Sequence, residues 1–425
     1  MRRFSGAVLA ISLVISACAP AAPSPRIELA AVDLPRAETT AEDATSAANA
    51  VNAFGFDLYR LATAGDDNLV LSPASIALAL GMARAGARGD TAAEMDAVLH
   101  DAASDEHAAW LNALEAALAA RNRTVTDDEG ADHDLALRIA NASFAQRDYD
   151  FEEAYLEALA TRFGAGLRLV DYIGATEEAR QAINRWVSDE TEERIPELLA
   201  PDILSAMTRM TLVNAIYLKA PWLHPFDEDA TEPGLFTRPD GSTVEAPMMR
   251  IGEWFPYAEG SGWQAVELPY LGGELAMTVI VPDDLAGFES DLDADAFAAI
   301  AGALEPANLA LALPRFGAES KLALSDALRD LGMPLAVDPD RADFSGITTE
   351  ERLYISAVIH QAHLDVDEAG TEAAAATAVV MDATGAPLDP ITLEIDRPFL
   401  FALRDTTTGA IVFLGRITDP SAGGG

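Results

Sequence analysis

Apolar side chains recur at the three-to-four-residue spacing of a buried helix face in four stretches of the chain. These are 47–62 (Val51, Phe54, Leu58, Leu61), 106–121 (Trp110, Leu111, Leu114, Leu118), 151–164 (Phe151, Tyr155, Leu159, Phe163) and 176–193 (Ala179, Ile183, Trp186). Apolar runs at 211–218, 275–281, 309–313, 353–366, 399–403 and 411–417 predict strands. The last two flank 404–409, whose Thr-Thr-Gly suits a hairpin turn. The acidic stretch 122–134 carries neither pattern and reads as a loop. Helices come first and strands gather toward the C-terminus, which indicates an α+β fold rather than a repeating βαβ array.

One segment fits two patterns at once. It runs Val366-Asp367-Glu368-Ala369-Gly370-Thr371-Glu372-Ala373-Ala374-Ala375-Ala376-Thr377-Ala378. By propensity it is an alanine helix behind a threonine cap. By alternation it is a strand with Thr371, Ala373, Ala375, Thr377, Val379 and Met381 on one face, all compatible with burial. Glu372, Ala374, Ala376, Ala378, Val380 and Asp382 then take the other face. No proline lies between Val366 and Pro387, so every residue of that stretch keeps a ladder N–H. Periodicity permits insertion into an existing sheet and does not decide for it.

Composition narrows the partners. Half of the 425 residues are hydrophobic, enough for a sizeable core, although length alone would suggest two or three domains. The formal net charge is −41, and Lys219 and Lys321 are the only lysines. Such a surface repels nucleic acid and anionic polysaccharide, and serves solubility or saline surroundings.

The N-terminus adds an address. Arg2 and Arg3 precede an apolar run from Ala7 to Ile15, too short to span a membrane. It ends Ile15-Ser16-Ala17-Cys18, which resembles the lipobox of bacterial lipoprotein signal peptides. That resemblance implies removal of 1–17, lipidation of Cys18, export across the inner membrane and anchoring at the outer membrane or cell surface. Cys18 is the only cysteine, so it has no internal disulfide partner. Residues 18–45, rich in Ala, Pro and acid, read as a flexible tether. One domain is expected over 46–420, without internal repeats, and 421–425 as a disordered tail.

Six blocks in order then resemble the serpin family over nearly all of 46–420. Asn68-Leu69-Val70-Leu71-Ser72-Pro73-Ala74-Ser75-Ile76, continuing to Gly86-Ala87-Arg88-Gly89-Asp90-Thr91, looks like the family's second helix and the turn after it. Ile183-Asn184-Arg185-Trp186-Val187, with Thr191, Ile195, Leu198 and Leu199, is similar to the segment after its helix over the main sheet. Thr211-Leu212-Val213-Asn214-Ala215-Ile216-Tyr217-Leu218-Lys219, then Trp222 and Phe226, looks like its central strand and the tryptophan above it. Asp343-Phe344-Ser345-Gly346-Ile347 and Leu353-Tyr354-Ile355-Ser356 lead to His360 and the small-residue segment. Arg397-Pro398-Phe399-Leu400-Phe401 and Phe413-Leu414-Gly415-Arg416 resemble its closing strands. The chain departs from the pattern at Ala369, at Ala220-Pro221 and at His363.

The resemblance implies helices packed on a large mixed β-sheet with smaller sheets and an exposed reactive loop. It also implies a monomeric suicide substrate without catalytic residues, cofactor or metal. A target serine protease would cut the loop and form a covalent acyl complex, and the hinge would then insert into the main sheet. Glu368, Gly370, Thr371, Glu372, Ala373, Ala374, Ala375, Ala376 and Thr377 would form that hinge. Ser72, Ser75, Asn214 and His360 would be the polar cluster that lets the strands part, with Trp222 a lid over the entry. His360 and His363 make a poor metal chelate, because residues three apart on a strand face opposite ways.

Counting from Glu368 by the family's spacing puts the cut bond at Thr384-Gly385, whereas counting back from Pro398 falls near Pro387. Met381 and Asp382 remain open. The interval from Thr371 to Asp396 has no Lys or Arg, which favours elastase-like or subtilisin-like targets over trypsin-like ones. A serpin-fold protein that binds without inhibiting is the alternative. A hydrolase finds no support, since Gly-x-Ser-x-Gly, His-Glu-x-x-His and phosphate-loop motifs are all missing.

Overall fold

A computed structural model describes residues 27–63, 65–100, 104–371 and 390–423. The first half of the chain is mostly helical: Glu28–Ala30 (β1), Ala41–Ala62 (α1), Leu69–Leu71 (β2), Pro73–Gly86 (α2), Gly89–Val98 (α3) and Ser104–Ala119 (α4). Next come Arg123–Thr126 (β3), Asp132–Gln146 (β4), Glu153–Phe163 (α5), Leu167–Val170 (β5), Thr176–Glu190 (α6) and Met210–Pro221 (β6). Strands then dominate: Glu232–Thr237 (β7), Thr243–Gly260 (β8), Trp263–Pro269 (β9) and Leu275–Pro282 (β10). Two short helices, Leu285–Asp291 (α7) and Ala294–Gly302 (α8), precede Glu305–Pro314 (β11), Phe316–Ala323 (β12) and Ser325–Leu331 (α9). The chain closes with Ala357–Val366 (β13), Gly370–Thr371 (β14), Ile391–Glu394 (β15), Phe399–Asp405 (β16) and Ile411–Ile417 (β17).

The strands form two sheets. The main sheet runs β1-β5-β4-β6-β14-β13-β12, with β3 paired to β4. The second runs β15-β11-β8-β9-β10-β16-β17-β2, with β7 on β8. β6 is buried along almost its whole length because both faces are covered, so it reads as an apolar run without alternation. Leu212, Ile216 and Leu218 face the large core around α2, whereas Val213 and Ala215 face a smaller core under α6 with Ile183, Val187 and Leu199.

Local sequence starts these elements where it should. Thr40 caps α1 by accepting the Asp43 amide, and Ser72 caps α2 by accepting the Ser75 amide, with Pro73 at the first helical position. Gly164 closes α5 in the left-handed conformation at φ 57°.

Three expectations change. The acidic 122–134 is a hairpin rather than a loop: β3 and β4 pair, and the Asp127 carboxylate closes the tip by accepting the Glu129 and Ala131 amides. The proposed tether 18–45 does not hold from residue 27 onward. β1 adds to the edge of the main sheet through β5, and α1 already begins at Ala41. Its order comes from distant partners: Arg36 and Ala37 hydrogen-bond the fully buried Asn112. The first residues of the expected tail 421–425 belong to a 3-10 turn, Pro420–Gly423, with the Asp419 carboxylate accepting from the Ser421 amide and hydroxyl. Among the described residues no helix is long and apolar enough to cross a membrane, and no group of His, Cys, Asp and Glu is arranged to hold a metal.

Candidate functional site

The centre of the main sheet is a seam between two parallel strands. β6 and β13 pair from Thr211↔Ala357 to Ile216↔Ala362, including Asn214↔His360. Above Ile216 and Ala362 they part, and β14 lies between them, antiparallel to both. Gly370 pairs with Pro221 and Thr371 with Ala220 on one side, and Thr371 pairs with Val366 on the other. The uncleaved chain therefore already carries the first rung of an additional strand.

Under the seam sits a polar cluster. Ser72, Ser75, Asn214 and His360 are all completely buried and meet there. Nε2 of His360 accepts the Ser72 amide at 3.0 Å, which leaves Nδ1 protonated to donate to Asn214 Oδ1. Asn214 Nδ2 donates to Ser75 Oγ and to Asn141 Oδ1, each at 2.5 Å. Asn141 on β4, which the sequence reading did not single out, also donates to the Ser75 carbonyl at 3.0 Å. Burial pushes the His360 imidazole down to about 3, so it is neutral at ordinary pH. At Asn214 and His360 the seam is held by this hydrogen-bond network, between apolar side chains such as Leu212, Ile216, Val358 and Ala362.

Above it, the chain turns back between β13 and β14. The Asp367 carboxylate accepts the Ala369 and Gly370 amides at 2.9 and 3.1 Å, and the Asp367 amide donates to the Gly370 carbonyl. Burial raises the Asp367 carboxyl against those two amide bonds. Trp222 packs on this turn: its amide donates to the Ala369 carbonyl and its indole Nε1 to the Asp367 carbonyl at 3.0 Å. Its ring stacks on Tyr270 with centroids 4.4 Å apart.

Glu368 is buried and held by charge. Arg315 NH2 donates to both its carboxylate oxygens at 2.7 Å, and the Thr231 hydroxyl donates to Oε1 at 2.6 Å. Burial alone would raise that carboxyl, but the Arg315 and Thr231 hydrogen bonds outweigh it and hold it below the usual range. Gly370 is the one residue that fits its place. A Cβ there would lie 2.2 Å from the Ala220 carbonyl oxygen and 2.7 Å from Pro221 Cα, at a φ of 152°. Thr371 is completely buried, and its hydroxyl shares a 2.7 Å hydrogen bond with Tyr270.

The structure thus joins Glu368, Gly370, Thr371 and Trp222 in one turn and Ser72, Ser75, Asn214 and His360 in one cluster. Glu372, Ala373, Ala374, Ala375, Ala376, Thr377, the Thr384-Gly385 bond and Cys18 lie outside the described residues. Nothing in the sequence singled out Asn141, Thr231, Tyr270 or Arg315, and Asp367 stood there only as part of the hinge segment. His363, by contrast, turns away from the cluster and pairs with Asp365 at 2.9 Å.

A family model described as Serpin (serine protease inhibitor) matches residues 49–420. The chain belongs to the serpin family. Serpins are inhibitors of proteases rather than catalytic enzymes. An uncharacterized serpin-like protein of Thermococcus kodakarensis is 38% identical over 88% of this chain and 86% of its own length. Leukocyte elastase inhibitor of Homo sapiens is 34% identical over 86% of this chain and 97% of its own. Among solved serpin structures, native tengpin from a thermophile matches with a TM-score of 0.80 and 25% identity, over 92% of this chain and 100% of tengpin. Uncleaved ovalbumin matches with a TM-score of 0.78 and 25% identity, over 88% of this chain and 100% of ovalbumin.

Proposed function

We propose that this serpin is a suicide-substrate inhibitor of serine endopeptidases with a narrow, apolar primary pocket, of the elastase-like or subtilisin-like kind. The protease serine attacks the carbonyl of the bond after Thr384, expels the Gly385 amine and is left as an ester on the loop. Before water resolves that ester, the freed arm enters the main sheet and carries the protease with it. The single observation behind this reading is the parted seam, with Gly370 and Thr371 already paired inside it.

Continuing that register predicts where each residue lands. Positions 372 to 380 each gain a partner on both β6 and β13, beginning with Glu372 opposite Lys219. Ala373 and Ala375 come opposite Leu218 and Ile216 on the large-core face, where small apolar side chains suit burial. Thr377 arrives between Asn214 and His360, whose pairing must yield to admit it. New ladder bonds worth about 1 kcal/mol net each give a driving force on the order of 10 kcal/mol. The uncut form is then held by a kinetic barrier rather than by equilibrium. The absence of Lys and Arg from the loop, and the resemblance to leukocyte elastase inhibitors, support the choice of target. The lipobox at Cys18 would place the inhibitor on a membrane surface facing out of the cytoplasm, with no cofactor needed.

The test is incubation with elastase or subtilisin. The expected products are an adduct stable in SDS, a released peptide starting at Gly385, and a nicked protein markedly more heat-resistant than the intact one. A cut at Met381, Asp382 or Pro387 would relocate the bond and leave the mechanism. Clean proteolysis with no adduct and no gain in heat resistance would leave only a binding role.

A further inference from the structure

We infer that Tyr270 is a positioning residue for loop insertion: its hydroxyl fixes Thr371 as the first rung of the new strand before any bond is cut. The inference rests on the inhibitory reading above and adds a residue to it. Tyr270 belongs to the second sheet, at the turn after β9, where its amide donates to the Leu275 carbonyl. That turn is bolted to the end of β6: Leu271 N donates to the Pro221 carbonyl and Leu223 N to the Pro269 carbonyl. Trp222 and Tyr270 also form a β-bridge. The phenol is therefore delivered from a frame outside the seam. Its ring is completely buried, and burial raises its ionisation well above the ordinary range, so the hydroxyl stays protonated.

At the other end, Thr371 has no exposure, and Tyr270 holds its side-chain hydroxyl. The preceding residues are pinned by other contacts: Asp367 caps the turn, Arg315 clamps Glu368, and Trp222 takes the Ala369 carbonyl. Among the described residues the Tyr270–Thr371 pair is the anchor nearest the arm, so it decides whether the strand grows from a formed rung or must first nucleate one. Insertion races deacylation, and a lost rung therefore diverts protease into turnover while the first cut proceeds as before.

Tyr270→Phe keeps the ring stacked on Trp222 and removes only the oxygen. In the intact protein we expect hydrogen exchange at the Gly370 and Thr371 amides to rise about fivefold, the loss of one net hydrogen bond of about 1 kcal/mol. With elastase or subtilisin the number of inhibitor molecules consumed per protease trapped rises by a similar factor, at an unchanged rate of loop cleavage. Thr371→Val reproduces both effects, Thr371→Ser retains wild-type behaviour, and the double variant Tyr270→Phe/Thr371→Val is no worse than either single one. Unchanged exchange at Gly370 and Thr371 in Tyr270→Phe overturns the inference, and so does additivity in the double variant. Should the wild-type protein trap no protease, the inhibitory reading falls on that result, while the exchange arm still decides whether Tyr270 holds the rung.

Discussion

The main sheet carries two very short added strands, and they sit in opposite situations. β1 joins the outer edge through β5, pairing Glu28↔Leu169, Leu29↔Arg168 and Ala30↔Leu167. β14 joins the middle, between β6 and β13. At the edge, nothing has to move to accept a strand, and β1 is locked by features of its own. Gly166 lets the backbone approach so closely that a Cβ there would sit 2.9 Å from both the Ala31 and Leu29 side chains. Asn112 then takes the Arg36 guanidinium and the Ala37 carbonyl. At the centre, residues from 375 onward must separate two strands that now bond each other, because β6 and β13 are paired up to Ile216 and Ala362. An edge strand is a finished structure, whereas a central one is the start of a larger change.

The sharpest way to break this contrast is to block growth at the centre. Ala375→Arg puts a long cation opposite Ile216 and Ala362, both buried. We expect the nicked variant to lose the whole gain in heat resistance, a driving force on the order of 10 kcal/mol, and to be cut as an ordinary substrate. Thermal melting before and after nicking, beside an SDS gel, reads both. A variant that still gains heat resistance would show that the arm does not use this seam.

The next effect is smaller and concerns acid. His360 titrates near 3 in the folded protein and near 6.5 when unfolded, so between those values the unfolded chain binds the extra proton. Its contribution is complete above pH 6.5 and is lost as the pH falls, by about 1.4 kcal/mol per unit, or ~3 kcal/mol by pH 4.5. Protonation would also set a second N–H against the Ser72 amide that Nε2 accepts. Urea unfolding across this range should show the slope in the wild type and a flatter one in His360→Gln. Equal slopes would place the acid sensitivity in the carboxylates instead.

What the sequence disclosed follows from range. Ser72, Ser75, Asn214 and His360 sit in recognisable runs of residues, and Thr371, the one member of the expected alternation among the described residues, pairs with Ala220 of the large core. Partners joined only by folding stayed hidden. Arg315 reaches Glu368 across 53 residues and Tyr270 reaches Thr371 across 101. Asn141 lies in a strand whose first residues are acidic and read as loop. The segment before Ala41 has no period of its own, because its order is imposed by Asn112 on α4.

The edge strand supplies a third test. A chain beginning at Thr39 would leave Asn112, which has no exposure, without its Arg36 and Ala37 partners. The expected cost is about 1–3 kcal/mol for the stranded amide, seen as a lower urea midpoint. The gain on nicking should persist, because nothing at the edge enters the seam. Loss of that gain would mean that the two added strands are coupled through β4 and β5.

The smallest effect lies in the turn itself. Thr231→Val removes one of the hydrogen bonds to Glu368 and leaves both oxygens on Arg315. One bond to a charged group is worth about 1.5–3 kcal/mol where nothing replaces it, but Arg315 is half exposed and water can reach the pair, so about 1 kcal/mol is expected. Global unfolding should hardly register the change. It should surface as faster hydrogen exchange at Phe226 and Trp222, whose amides donate to the Glu368 and Ala369 carbonyls. Exchange at Leu29 on the edge strand should stay as it was. If both regions loosened together, the turn and the edge would belong to one cooperative unit, and the contrast between a finished strand and a waiting one would be lost.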